Sequence, residues 1–334
     1  MSLPSSMRSI TLLTPQTYDL TNPPTSLKFT TLPTLTSTES QVLLRIAATA
    51  ITPYELSWPA PPSSPTPRIP AHDVAGTVIS SASPLFKARD EVFALLPYDG
   101  QGGMAEYAVC DVRFLAKMPK GMGFVEAASV PRAALTALQA CERLEVGERV
   151  LVMGATGAVG RMVVQLARRG VGERGVVVAV GGFGCEVLEG LGASLVVNYK
   201  EIEGVKWEDA VKKGVKGGEI DVLIDCLGGE SLERGTELVK SGGRVVTVGS
   251  PPPRWAKQEE SGWEEIEEEG LRKRFFIVEE SGKQLEDVAR LIESGNLKTS
   301  VGLVVDGLTE EGVRGGYSRG LKGGLSGSVV VKIA

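Results

Sequence analysis

Three glycines spaced three residues apart carry the clearest chemistry in the chain. They are Gly154, Gly157 and Gly160, within Val150–Gly170, which reads VLVMGATGAVGRMVVQLARRG. A β-branched apolar run, Val150–Met153, enters the turn. From Arg161 the apolar residues Met162, Val163, Val164, Leu166 and Ala167 return at helical spacing until Gly170. Gly157 has no Cβ, so a pyrophosphate can approach the backbone. Gly160 lets the helix lie close to the strand. The N–H groups that open the helix, around Ala158, Val159 and Gly160, face the anion. Ala155 and Thr156 complete the turn, and Ala155 stands where the usual fingerprint has glycine, giving A-x-G-x-x-G. A strand, a glycine turn and a helix in this order predict a dinucleotide-binding fold.

A second chemical feature lies at the next strand, Val176–Val180, which runs into Gly181, Gly182 and Phe183. A site specific for a free ribose usually has a carboxylate there. Without one, a 2′-phosphate is not repelled. His72 is the only histidine, and reads as either a turn residue bonded to backbone or a substrate-facing group. The cysteines, Cys110, Cys141, Cys185 and Cys226, are far apart and include no C-x-x-C pair. They predict neither a disulfide framework nor a structural cysteine zinc site, and imply a reducing, cytoplasmic setting. None of the six tyrosines has lysine four residues later, which excludes the short-chain dehydrogenase pattern.

The elements that must position these groups fall into two classes. Residues 1–118 read as short strands: Ser9–Leu13, Gln41–Ala50, His72–Ser80, Asp90–Leu96 and Met104–Cys110. Thr14–Ser40 is expected to form loops and short edges, and Ile51–Pro70 is proline-rich and irregular. From Phe124 onward strands and helices alternate. A helix is expected over Arg132–Leu144, opened by Pro131. Others are expected at 161–169, Cys185–Leu191 and Leu232–Val239. Strands are expected at Leu195–Val197, Ile220–Asp225, Arg244–Gly249 and Phe275–Val278. Near-continuous apolar strands in βαβ alternation mean a doubly wound parallel sheet. Glu259–Glu269 reads as a solvated loop or helix face, and Leu285–Ile292 as an amphipathic helix. The final strand, Gly327–Ile333, is expected to return to the first domain.

The 334 residues suit two domains, and the net charge of −5 gives no basic footprint for nucleic acid. No apolar run approaches the ~20 residues needed to span a membrane.

Seven stretches together resemble one family. They are PYEL at 53–56, PAHDVAGTV at 70–78, GGMAEYAV at 102–109, AASVPRAALTAL at 127–138, VLVMGATGAVG at 150–160, IDVLIDCLGG at 220–229 and GGRVVTVGS at 242–250. In this order they resemble the zinc-free quinone oxidoreductase branch of the medium-chain dehydrogenase/reductase superfamily. The resemblance implies a GroES-like β-barrel catalytic domain at 1–119 and 280–334. It implies a Rossmann domain at 120–279, NADPH as cofactor and a cleft between the domains. The expected activity is hydride transfer to a quinone, or to the β-carbon of an α,β-unsaturated carbonyl in an enone or enoyl compound. The alternative is a non-catalytic NADPH-binding sensor on the same fold. A homodimer is compatible with either.

By the same resemblance, Tyr54 and His72 are the catalytic candidates, with Glu55 orienting backbone or Tyr54. Thr136 would reach the nicotinamide end, Gly181 would flank the adenosine ribose, and Tyr199 and Lys200 would meet the 2′-phosphate. The basic residue that the family often supplies near Gly184 is missing. Asp225, Cys226 and Leu227 would flank the ribose at a strand end. Gly249 and Ser250 would follow the next strand, and Phe276 and Ile277 would offer backbone to the carboxamide. Zinc-dependent relatives place a cysteine near Thr52 and a histidine in a G-H-E motif. Here His72 and Asp73 leave too few ligands for catalytic zinc, which needs three from the protein.

Overall fold

The computed structural model describes residues 3–12, 27–59, 61–202, 204–259 and 262–334. The chain divides into two compact units. One comprises Met1–Leu135, Glu280–Gly323 and Gly327–Ala334; the other comprises Thr136–Glu279 and Gly324–Ser326.

The first unit is the GroES-like one. Its longest strand, Gln41–Ile51, pairs antiparallel with Asp73–Ser81, Tyr107–Asp111 and the C-terminal strand Ser328–Lys332. The sheet extends through Glu91–Leu95 to Leu115–Lys117 on one side and through Ser328–Lys332 to Val301–Asp306 on the other. Among the described residues its ladder runs from Val301–Asp306 to Leu115–Lys117. Ile10, Leu43, Leu44, Ile46, Phe93 and Leu95 are among its fully buried side chains. Ser6–Leu12 pairs with Leu27–Pro33 as a separate ribbon. That second strand corrects the expectation of loops over Thr14–Ser40, of which 14–26 lie outside the described residues. Its outer face is exposed, so it buries too little apolar surface to stand out in sequence.

Besides the short helix Phe124–Ala128, this unit carries two longer helices late in the chain. Gly282–Glu293 is capped by the Ser281 hydroxyl, which accepts from Gln284 N. Glu310–Leu321 is capped in the same way by Thr309. Its Gly316 lies where a Cβ would come within 3.0 Å of Ile51 Cδ1.

The second unit is a Rossmann-like doubly wound sheet. In spatial order its strands are Leu195–Asn198, Val176–Gly181, Arg149–Met153, Ile220–Asp225, Val239–Thr247, Leu271–Phe275 and Glu265–Glu268. The first six are parallel and the last is antiparallel. Winding reverses between Arg149–Met153 and Ile220–Asp225. In such sheets a ligand binds outside the carboxyl ends of the strands at this switch point. Leu151, Met153, Val178, Val180, Ile220, Leu223 and Val245 form its core.

Several boundaries differ from expectation. Cys185–Leu191 is two 3-10 turns rather than a helix, Cys185–Val187 and Glu189–Leu191, bounded by the left-handed Gly184 and Gly192. The Glu-rich segment holds an edge strand, Glu265–Glu268, instead of a loop or helix face. Glu265 pairs with Arg143, and Glu268 with Lys273. The helix expected over Leu232–Val239 is Gly229–Thr236, and Val239 opens the next strand. The last parallel strand ends at Phe275, so Phe276 and Ile277 follow it. Among the described residues no helix is long and apolar enough to cross a membrane.

Candidate functional site

In the second unit nearly all the cofactor candidates collect at one edge of the sheet. Ala155–Gly160 follow the strand Arg149–Met153, and Gly181 ends Val176–Gly181. Tyr199 and Lys200 follow Leu195–Asn198, and Cys226 and Leu227 follow Ile220–Asp225. Gly249 and Ser250 follow Val239–Thr247, and Phe276 and Ile277 follow Leu271–Phe275. These are the carboxyl ends of all six parallel strands. Thr136 lies on the helix Pro131–Cys141 and is buried. Phe183, Tyr199, Leu227 and Ile277 are large and exposed there.

The glycine turn separates fold from binding. Gly154 has a positive φ of 72°, so it makes the reversal. A Cβ on Gly160 would sit 2.2 Å from Gly154 O and 2.7 Å from Ala155 Cα, so glycine is demanded by the backbone itself. Gly157 caps the helix Ala158–Val171 in extended conformation, φ −72° and ψ 171°, which any residue adopts. A Cβ there would meet only Gly154 O, at 3.4 Å. The fold does not demand glycine at 157. The space beside it faces the first-turn N–H groups, which have no partner within the helix. A pyrophosphate fits this space and those donors.

The two glycines therefore predict different failures. Gly160→Val should lower the cofactor-free melting temperature by roughly 5–10 °C, the effect of about 2–3 kcal/mol of overpacking. Thermal unfolding of the purified variant checks this, and an unchanged midpoint would contradict the close approach.

Asp225 is turned inward. Its fully buried carboxylate accepts from Thr247 Oγ1 at 2.6 Å, Gly228 N at 2.8 Å and Leu227 N at 3.2 Å. Burial raises its pKa while these donors hold it down. It shapes the turn that carries Cys226 and Leu227.

In the first unit a buried polar cluster underlies the Tyr54 loop. Tyr54 caps the 3-10 turn Glu55–Ser57 and is 44% exposed. Glu55 is buried beneath it and accepts from Tyr317 OH at 2.6 Å, Thr52 N at 3.1 Å and Ala71 N at 3.2 Å. It orients backbone and Tyr317, with no bond to the Tyr54 side chain. Burial pushes its carboxyl up to about 7. Tyr98 OH donates to the carbonyls of Glu55 and Trp58, both at 3.2 Å. Tyr317 lies far along the chain in a glycine-rich helix, and no local signal in the sequence pairs it with Glu55.

His72 is 1% exposed, with its ring 5.3 Å from that of Tyr98. Among the described residues neither ring nitrogen makes a hydrogen bond of good geometry. Burial, Arg132 and Arg68 lower the imidazole pKa to about 3. Asp73 accepts from Arg132 N at 2.6 Å and Arg132 Nε at 3.3 Å. Burial raises its pKa and Arg132 opposes the shift.

Zinc does not suit this donor set. Asp73 is committed to Arg132, two guanidinium charges act on His72, and Thr52 offers no thiolate. Among the described residues no three His, Cys, Asp or Glu side chains gather in a metal-binding group.

Two family models match the chain: an alcohol dehydrogenase GroES-like domain over residues 38–120 and a zinc-binding dehydrogenase over 158–263. A probable zinc-binding oxidoreductase, mitochondrial, from Arthroderma benhamiae is 35% identical over 289 residues, covering 82% of this chain and 84% of that protein. The chain belongs to the medium-chain dehydrogenase/reductase superfamily, in its quinone oxidoreductase-like branch.

This quinone oxidoreductase-like chain is therefore an oxidoreductase of a family that uses NAD(P). The reading as a non-catalytic module is set aside. The chloroplastic NADPH-dependent alkenal/one oxidoreductase of Arabidopsis thaliana is 31% identical over 79% of the chain, which spans 64% of that protein. The quinone oxidoreductase structure from Coxiella burnetii shares the fold, with a TM-score of 0.79 and 20% identity. The match covers 98% of this chain and 100% of that one.

Proposed function

We propose that the chain is an NADPH-dependent, zinc-independent reductase of conjugated carbonyls, either α,β-unsaturated aldehydes and ketones or quinones. The observation that carries this reading is the gathering of the cofactor candidates at the strand ends around a Gly157 that the fold itself does not require. Cofactor preference rests on Gly181 and Gly182, which leave the 2′ position without a carboxylate, and on Tyr199 and Lys200 beside them. The name of the Arabidopsis thaliana relative supports the same choice.

NADPH, when bound, supplies the hydride. Ala158, Val159 and Gly160 would hold its pyrophosphate through their N–H groups, and the Phe276–Ile277 backbone would hold its carboxamide. In the first unit, the exposed Tyr54 phenol is proposed to donate to the acceptor's carbonyl oxygen. Negative charge collects on that oxygen when hydride reaches the β-carbon. A donor aimed at it stabilises the enolate. The proton that completes the reduction comes from water or Tyr54. His72 stays neutral and shapes the floor of the cluster. With a proton source in solvent, the reaction needs no metal and no strong general acid. A reducing, cytoplasmic compartment completes the proposal, and the four free thiols support it.

Metal analysis combined with enone reduction tests the zinc claim. The expected result is substoichiometric zinc and NADPH oxidation unaffected by chelator. One zinc per chain, with activity lost on chelation, would overturn it.

A further inference from the structure

The Gly184 turn has no basic side chain of its own, but one from the glycine-turn helix lies beside it. Gly184 adopts a positive φ of 81°; the place its Cβ would take is met first by the Ser326 side chain, Oγ at 2.6 Å, with Arg161 Nη2 beside it at 3.6 Å. Arg161 stands in the first turn of Ala158–Val171 and donates from Nη2 to Gly184 O at 3.4 Å. The Cβ position of Gly182 lies 2.7 Å from Tyr199 OH, so that phenol fills the space a side chain at 182 would take. Lys200 Nζ sits 5.5 Å from the Tyr199 ring and 5.7 Å from the Phe183 ring. Two cations and a phenol therefore border the Gly181–Gly184 turn, at the end of the second strand, where the adenosine ribose binds in this fold. Glu186 acts on Arg161 from the same turn, and Glu201 acts on the neighbouring Cys185.

We infer that Arg161, together with Lys200, is the cation pair that recognises the 2′-phosphate of NADPH in this chain. The dinucleotide fingerprint is defined by its glycines and carries no signal for this residue. The residue immediately after Gly160 is usually taken only as the start of the helix. Arg161 offers a planar fork of donors to phosphate oxygens, and Lys200 adds a point charge held over two rings. The inference rests on the NADPH reading above.

Dissociation constants for NADPH, NADH and 2′,5′-ADP, measured by titration calorimetry, test it on wild type, Arg161→Ala, Arg161→Lys and Lys200→Ala. Wild type should bind NADPH more tightly than NADH. Arg161→Ala should weaken NADPH and 2′,5′-ADP by about 10- to 100-fold more than it weakens NADH, the loss of one charge-assisted contact. Arg161→Lys should recover part of that loss, and Lys200→Ala should show a smaller loss of the same kind. A role limited to holding the Gly184 turn would weaken all three ligands alike, and that result would overturn the inference. So would an Arg161→Ala protein that keeps the full preference. Equal binding of NADPH and NADH by wild type would instead sink the NADPH reading itself.

Discussion

Gly157→Val should lower NADPH affinity by roughly 30- to 1000-fold, about 2–4 kcal/mol, and leave the cofactor-free melting temperature nearly unchanged. The backbone at 157 is already extended, which valine favours, and the added Cβ meets only Gly154 O at 3.4 Å. The apo fold therefore absorbs the change. The pyrophosphate cannot, because the new methyl groups stand in front of the first-turn N–H groups. Those donors and the helix dipole supply much of the phosphate affinity. Calorimetry and thermal unfolding on the same preparation measure both halves. Wild-type affinity in the variant would mean that the phosphate cradle lies elsewhere.

The single histidine should stay neutral throughout the physiological range. Nuclear magnetic resonance of the one imidazole should show no titration between pH 8 and 5, since the His72 pKa is about 3 in the folded chain. Linkage sets the sign. An unfolded histidine takes its proton near pH 6.5, before the folded one does. This contribution to stability is therefore full above 6.5 and lost as pH falls towards 3, about 5 kcal/mol in all. Glu55 acts oppositely. Its folded pKa of about 7 lies above the unfolded value, so its contribution is full below about 4.5 and lost as pH rises through 7. Between roughly pH 4.5 and 6.5 the two offset one another, because each state holds one proton on this pair. Below that window His72 acts alone and acid lability steepens. Urea unfolding of His72→Asn at several pH values should show stability rising as pH falls from 7 to 4.5, with the steep acid loss reduced. An imidazole that titrates near 6.5 would contradict the buried placement.

Local patterns made the dinucleotide half legible. A β-branched run, spaced glycines and helical periodicity mark the strand, turn and helix of Arg149–Val171, although the helix starts at Ala158 rather than Arg161, and Ile220–Asp225 falls where its continuous apolar run puts it. The helix Glu310–Leu321 is not legible in the sequence because Gly312, Gly315, Gly316 and Gly320 erase its periodicity, although Gly312, Gly316 and Gly320 let it lie close to its neighbours. Tyr54 and Glu55 were legible as a pair only through resemblance. Their different fates, one exposed and one buried under three donors, depend on Ala71 and Tyr317, which no spacing rule connects to them. His72 was legible as an unusual residue, but its neutrality depends on Arg68 and Arg132 arriving from other segments. Arg161 was in plain view within the fingerprint. Only the fold shows that its guanidinium lies beside the Gly184 turn and bonds the Gly184 carbonyl.

The central claim is hydride delivery from NADPH to the β-carbon of a conjugated carbonyl. Transfer of deuterium from NADPH carrying deuterium at both C4 positions to a simple alkenone, followed by mass spectrometry and carbon-resolved magnetic resonance, tests it most directly. One deuterium at the β-carbon of a saturated ketone is predicted. Deuterium at the carbonyl carbon of an allylic alcohol, or none in any product, would contradict it.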